Sequence, residues 1–154
     1  MFSLGISILP VNVLADGTAT EISDQSGLTA MANTAGSYKL MADITLSDWT
    51  PVNLASGTTF DGNGHTITLT GTALFNQASS NSTINNLILD GTVTSSSSVG
   101  SLAIICNATV RNCASYTDVT YTGTGGSYWP DYAGGLIGSM TYSSTVISNC
   151  LYAG

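Results

Sequence analysis

Val110-Arg111-Asn112-Cys113 is one of three short stretches that decide the fold, together with Ile84-Asn85-Asn86-Leu87 and Ile147-Ser148-Asn149-Cys150. Each runs aliphatic, variable, Asn, then Leu or Cys. Each follows a small or apolar segment and a polar turn, the segments being Ala73-Leu74-Phe75, Leu102-Ala103-Ile104 and Gly135-Leu136-Ile137. The spacings are 110 − 84 = 26 and 147 − 110 = 37, unequal because the intervening loops differ. A second match sets Asp90-Gly91-Thr92-Val93-Thr94 against Asp118-Val119-Thr120-Tyr121-Thr122, offset by 118 − 90 = 28, and Leu74 and Leu102 share that offset. A repeat of this length with no helical period inside it describes one coil of a β-solenoid. Such a coil cannot bury its apolar face alone and must stack on the next, about 4.8 Å away.

Stacking gives Asn86, Asn112 and Asn149 a physical reading as a structural column. Asn tolerates the left-handed conformation of a sharp corner, and its amide can donate to one neighbour while its carbonyl accepts from another. Leu87, Cys113 and Cys150 then stack just beyond the corner, pointing inward. The cysteines read as small buried hydrophobes, with a Cys113 to Cys150 disulfide as the alternative. Three cysteines without CxxC spacing do not indicate zinc or a redox centre.

Composition agrees with extended structure. Only 7% of the 154 residues are charged while 43% are hydrophobic, so solubility rests on Ser, Thr and Asn, which suit pleated surfaces and corners. Lys39 and Arg111 face nine acids, a formal net charge of -7, which excludes nucleic acid and disfavours anionic membranes as partners.

Ahead of the repeats, Leu28, Met31, Ala32 and Ala35 recur at helical spacing within Ser23-Gly36, with Ser23 or Asp24 as N-cap and Gly36 as stop. This short helix is placed to cover the open end of the stack. Residues 1–15, MFSLGISILPVNVLA, form an apolar run with a cleavage-like end, read as a truncated signal peptide because no Lys or Arg precedes Lys39. A first β-strand is the competing reading, and the run is too short and interrupted to span a membrane. The expected organisation is a signal segment at 1–15, a helical cap at 16–36 and repeats over 37–154, incomplete at the C-terminus.

Asp48-Trp49-Thr50-Pro51-Val52, Phe60-Asp61-Gly62-Asn63-Gly64-His65-Thr66-Ile67 and Tyr132-Ala133-Gly134-Gly135-Leu136-Ile137-Gly138 resemble bacterial surface proteins that carry GLUG-motif repeats. The segment from Gly36 to Leu46 is similar to the strand that precedes those repeats. The resemblance runs discontinuously from about Ser23 onward and departs at Ser101-Leu102-Ala103-Ile104-Ile105, which replaces the glycine-rich opening. It implies an all-β, right-handed parallel β-helix of the pectate-lyase-like kind; the length after residue 15 suits the short N-terminal capping helix and about four coils of this repeat. It further implies an exported, cell-surface location and carries over no catalytic residue.

Three groups could carry chemistry. Asp61-Gly62-Asn63-Gly64-His65 lacks the remaining oxygens of a calcium loop and reads as a tight corner, Gly62 and Gly64 supplying positive φ. His65, the sole histidine, reads as a surface or corner residue. Asp90 and Asp118, if 28 residues make one coil, stack within the range of a retaining glycosidase pair; exposed coil-edge carboxylates are the plainer reading. The insertion from Gly123 to Asp131 offers Tyr128, Trp129 and Asp131 as a glycan-binding cluster, since flat aromatic faces stack on sugars. Its alternative is Trp129 folded back as a lid.

The function expected is therefore a non-catalytic structural or adhesive module of a secreted or cell-surface protein, binding extracellular glycans or surface proteins and needing no cofactor or metal. A carbohydrate-active hydrolase or lyase built on Asp90 and Asp118 is the main rival. An ice-binding solenoid, suggested by the T-x-T pairs, is the third.

Overall fold

The computed structural model describes residues 18–124, 131–141 and 145–154. The signal-like run at 1–15 lies outside the described residues. Short β1 (Thr20–Ile22) and α1 (Gln25–Ala30) precede a series of three-strand rungs. The rungs are β2 (Ser37–Leu40), β3 (Ile44–Thr45) and β4 (Val52–Leu54); β5 (Thr59–Asp61), β6 (Thr66–Gly71) and β7 (Phe75–Ala78); and β8 (Thr83–Asn85), β9 (Ile88–Ser95) and β10 (Ala103–Cys106). The fourth comprises β11 (Thr109–Arg111), β12 (Ala114–Ser115) with β13 (Asp118–Tyr121), and β14 (Ile137–Ser139). A fifth begins with β15 (Val146–Ser148) and β16 (Leu151–Tyr152).

Like strands of successive rungs pair in parallel and make three sheets, ordered β1-β2-β5-β8-β11-β15, β3-β6-β9-β12-β16 and β4-β7-β10-β14, with β13 also on β9. The protein is thus an all-β parallel solenoid of about four turns with very little helix. Period-2 alternation explains the core of the first two sheets, where alternate side chains point inward and meet their counterparts one rung away; in the third, Phe75 and Ala78 of β7 and Ala103 and Cys106 of β10 are buried three residues apart. Register places Tyr38, Phe60, Ile84, Val110 and Ile147 in one column. Ile44, Ile67, Leu89, Ser115 and Tyr152 form another. Phe60 meets Phe75 edge-on across the interior, ring centres 5.8 Å apart. Inward Ser115 is accommodated because its hydroxyl bonds that of Ser101 at 2.9 Å.

The helix is shorter than the Ser23-Gly36 span its periodicity suggests. Asp24 caps it, accepting from the Gly27 amide at 2.9 Å, and Leu28 and Met31 are buried. It ends early because Asn33 turns left-handed (φ 57) and donates its amide to the Asn53 carbonyl of β4 at 3.0 Å. Ala35 consequently lies exposed rather than on an apolar stripe. Gln25 completes the cap. Its side-chain amide donates to the Ser47 carbonyl and accepts from the Ser47 amide, both at 2.9 Å, reproducing the pair of bonds a neighbouring strand would make.

Register also corrects the 28-residue alignment of the two D-x-T-x-T segments. Asp118 pairs with Thr92, and Asp90 pairs with Thr68, so the aspartates are not vertical neighbours. The offset of 28 holds where Phe75 pairs with Ala103, but it is 26 where Thr92 pairs with Asp118. An offset belongs to one sheet, because loops between the sheets differ in length.

Candidate functional site

The corners after β5, β8, β11 and β15 share one chemistry. Asn63, Asn86, Asn112 and Asn149 all take left-handed backbone, with φ of 52, 53, 52 and 50. Asn149 donates its side-chain amide to Asn112 Oδ1 at 3.3 Å, Asn112 to Asn86 Oδ1 at 3.3 Å, and Asn86 to Asp61 Oδ1 at 3.0 Å. Asn63 instead donates to the Leu40 carbonyl at 3.0 Å. Asp61 Oδ1 also accepts from the Asn63 backbone amide at 2.9 Å, so this carboxylate ends the ladder and shapes its own turn. In the same corner Gly64 has positive φ (78) but Gly62 does not. Gly62 is needed for space, because a Cβ there would lie 2.5 Å from Leu87 Cα.

A second amide ladder, on the outer face of β4 and β7, has no counterpart in the repeat motif. Asn76 donates to Asn53 Oδ1 at 2.9 Å and Asn53 to Asn33 Oδ1 at 3.3 Å. Spacings of 20 and 23 residues were the available signal. This ladder borders a groove of about 370 Å³ between the cap and the first rung, lined by Gln25, Asn33, Asp48, Trp49, Pro51 and Asn53. Trp49 offers it little surface, because the indole is buried and its N–H donates to the Leu74 carbonyl at 2.9 Å.

His65 is more engaged than a bare corner residue. Its Nδ1 lies 3.1 Å from Asp43 Oδ1, which also accepts from the Thr66 amide at 2.9 Å. The Thr66 amide first, and His65 second, hold the Asp43 carboxyl below the usual range. The pair resembles the base and orienting acid of a hydrolytic triad, but no Ser or Cys is bonded to the imidazole among the described residues.

Of the glycan-binding cluster, Tyr128 and Trp129 lie outside the described residues. Asp131 accepts a hydrogen bond from the Tyr121 hydroxyl of β13 at 2.9 Å, which ties the end of the insertion to the stack. Asp90 bonds the amide of its neighbour Gly91 at 2.7 Å. Both cations sit in one outward column of the first sheet, which reads Glu21, Lys39, Asp61, Asn85, Arg111 and Ser148. Lys39 therefore lies in register between the carboxylates of Glu21 and Asp61, while Arg111 lies between Asn85 and Ser148. Among the described residues no three His, Cys, Asp or Glu side chains converge on a point that could hold a metal. Among the described residues no helix is long and apolar enough to cross a membrane.

Fold and corner chemistry together define a parallel β-solenoid held by side-chain ladders. A solved structure titled "putative immunoglobulin A1 protease from Bacteroides ovatus" is similar to it, with a TM-score of 0.59 at 17% identity. The likeness covers 89% of this chain and 57% of that one, so this chain spans little more than half of its neighbour's length. No family model and no curated protein matches the chain.

Proposed function

We propose that this chain is a non-catalytic structural and adhesive module of an exported, cell-surface protein built from GLUG-type repeats. The observation that carries this reading is the use made of its polar side chains. Asn86, Asn112 and Asn149 spend their amides on bridging rungs. Asp131 likewise fixes a loop. Such a stack is a rigid rod, because each interior rung is bonded to two others and resists bending without breaking a ladder. Glycans are the class of partner favoured by an acidic, amide-rich surface, since uncharged amides exchange hydrogen bonds with hydroxyls at little desolvation cost. The neighbour's name raises proteolysis as the activity to test against.

The test incubates the full chain with a panel of polysaccharides and with immunoglobulin A1, scoring binding and turnover separately. Binding to one or more glycans without release of reducing ends or peptides is expected. Turnover that disappears in Asp43→Asn or His65→Ala would overturn the proposal. Protease shaving of intact cells, with detection of this segment among the released peptides, checks the surface location.

A further inference from the structure

The inward stack of Leu87, Cys113 and Cys150 ends in two thiols on successive rungs. Each cysteine follows a left-handed asparagine, Asn112 or Asn149, and so leaves its corner in the same direction. The Leu151 amide donates to the Cys113 carbonyl at 2.9 Å, and Ala114 is in register with Leu151, which makes the cysteines vertical neighbours. Their thiols repeat one geometry. Cys113 Sγ donates to the Arg111 carbonyl at 3.2 Å and lies 3.9 Å from that of Ile84; Cys150 Sγ lies 3.2 Å from the Ser148 carbonyl and 3.7 Å from that of Val110. Strands about 4.8 Å apart fall inside the Cα separation of roughly 4.4 to 6.8 Å that a disulfide spans. With Cα–Cβ directions in parallel, reaching the usual Cβ separation of roughly 3.8 Å asks the two Cβ atoms to approach by about 1 Å.

We propose that Cys113 and Cys150 form a modification site, a dithiol that a low-molecular-weight disulfide converts into an intramolecular disulfide joining the fourth and fifth rungs. Cys150 is the more exposed and reacts first. Its thiol releases a proton and attacks one sulfur of oxidised glutathione, expelling a glutathione thiolate that takes up a proton. Cys113 then loses its proton and attacks Cys150 Sγ, and the second glutathione leaves as thiol. Two protein thiols are oxidised and one glutathione disulfide is reduced to two glutathiones. Burial holds the Cys113 thiol up at about 11, so the second step is slow at neutral pH and gains about tenfold per pH unit below that value. Cys106, buried opposite Ala78 in another sheet, takes no part.

The experiment treats the full chain with oxidised glutathione at mildly alkaline pH, then alkylates it under denaturing conditions for intact-mass and peptide analysis. Expected are a loss of about 2 Da, one alkylated cysteine, a Cys113–Cys150 cross-linked peptide, and a melting temperature higher by roughly 10 °C. Cys106→Ser forms the same cross-link and leaves no cysteine to alkylate. Cys113→Ser stops at a glutathione adduct on Cys150; should that buried variant not fold, Cys150→Ser, which carries the change at the exposed end, loses the cross-link and the stabilisation. A persistent glutathione adduct on wild-type Cys150, a disulfide between two molecules, or no reaction would each overturn the proposal.

Discussion

Asn112 donates its side-chain amide to Asn86 one rung away at 3.3 Å while both residues hold left-handed backbone, so one residue type meets a conformational and a hydrogen-bonding demand together. The two demands can be separated by mutation. Asn112→Gly keeps the conformation and loses the ladder, an expected cost of about 1 kcal/mol. Asn112→Ala loses both, for about 2–3 kcal/mol. Urea unfolding midpoints check the order, and an alanine variant as stable as the glycine one would deny the corner its conformational role.

Gly91 packs against the neighbouring rung so closely that a Cβ would lie 2.1 Å from the Leu69 carbonyl oxygen, and its φ is +96. Gly57 also has positive φ (+76) but faces open space. Gly91→Ala should therefore cost upward of about 3 kcal/mol, and Gly57→Ala only about 1 kcal/mol. Thermal melts of the two variants, run side by side, measure the difference.

Asp43 is held low by the Thr66 amide and by His65. Because its folded value lies below its unfolded one, the stabilisation is present above the ordinary carboxylate range and is lost as pH falls through the folded value. Carboxyl NMR titration should find Asp43 below the usual range. His65→Ala should raise it only partway, since the larger influence, the Thr66 amide, remains. A full return to the ordinary value would assign the effect to the imidazole alone.

Gln25 substitutes for a strand at the Ser47 edge through its two 2.9 Å bonds. Gln25→Ala should lose about 1 kcal/mol and speed hydrogen exchange at the Ser47 amide, leaving the Thr83 amide, bonded to Thr58 inside the stack, unchanged. Equal acceleration at both amides would mean that Gln25 acts on global stability and not on the edge.

The solenoid and its asparagine column were legible because a left-handed corner admits few residues, and their recurrence survives loops of different length. The pairing of Asp90 with Asp118 misled because their shared D-x-T-x-T pattern alternates with period two. A slip of two residues keeps every side chain on its proper face and leaves no trace in hydrophobicity. Helical periodicity runs on past Asn33 in the sequence, whereas the Asn53 carbonyl draws the Asn33 amide out of the helical path. The outer Asn33, Asn53 and Asn76 ladder escaped notice because those residues share no surrounding motif. Their partnership exists only once the rungs are in register.

The inward column of Phe60, Ile84 and Val110 is fully sealed, each side chain covered by its counterparts one rung away. Stability in this stack is therefore a nearest-neighbour quantity, and a rung is worth what the rungs on either side of it bury. A cavity opened at Ile84 weakens the two contacts that residue shares and leaves more distant rungs untouched. Damage in such a molecule stays local.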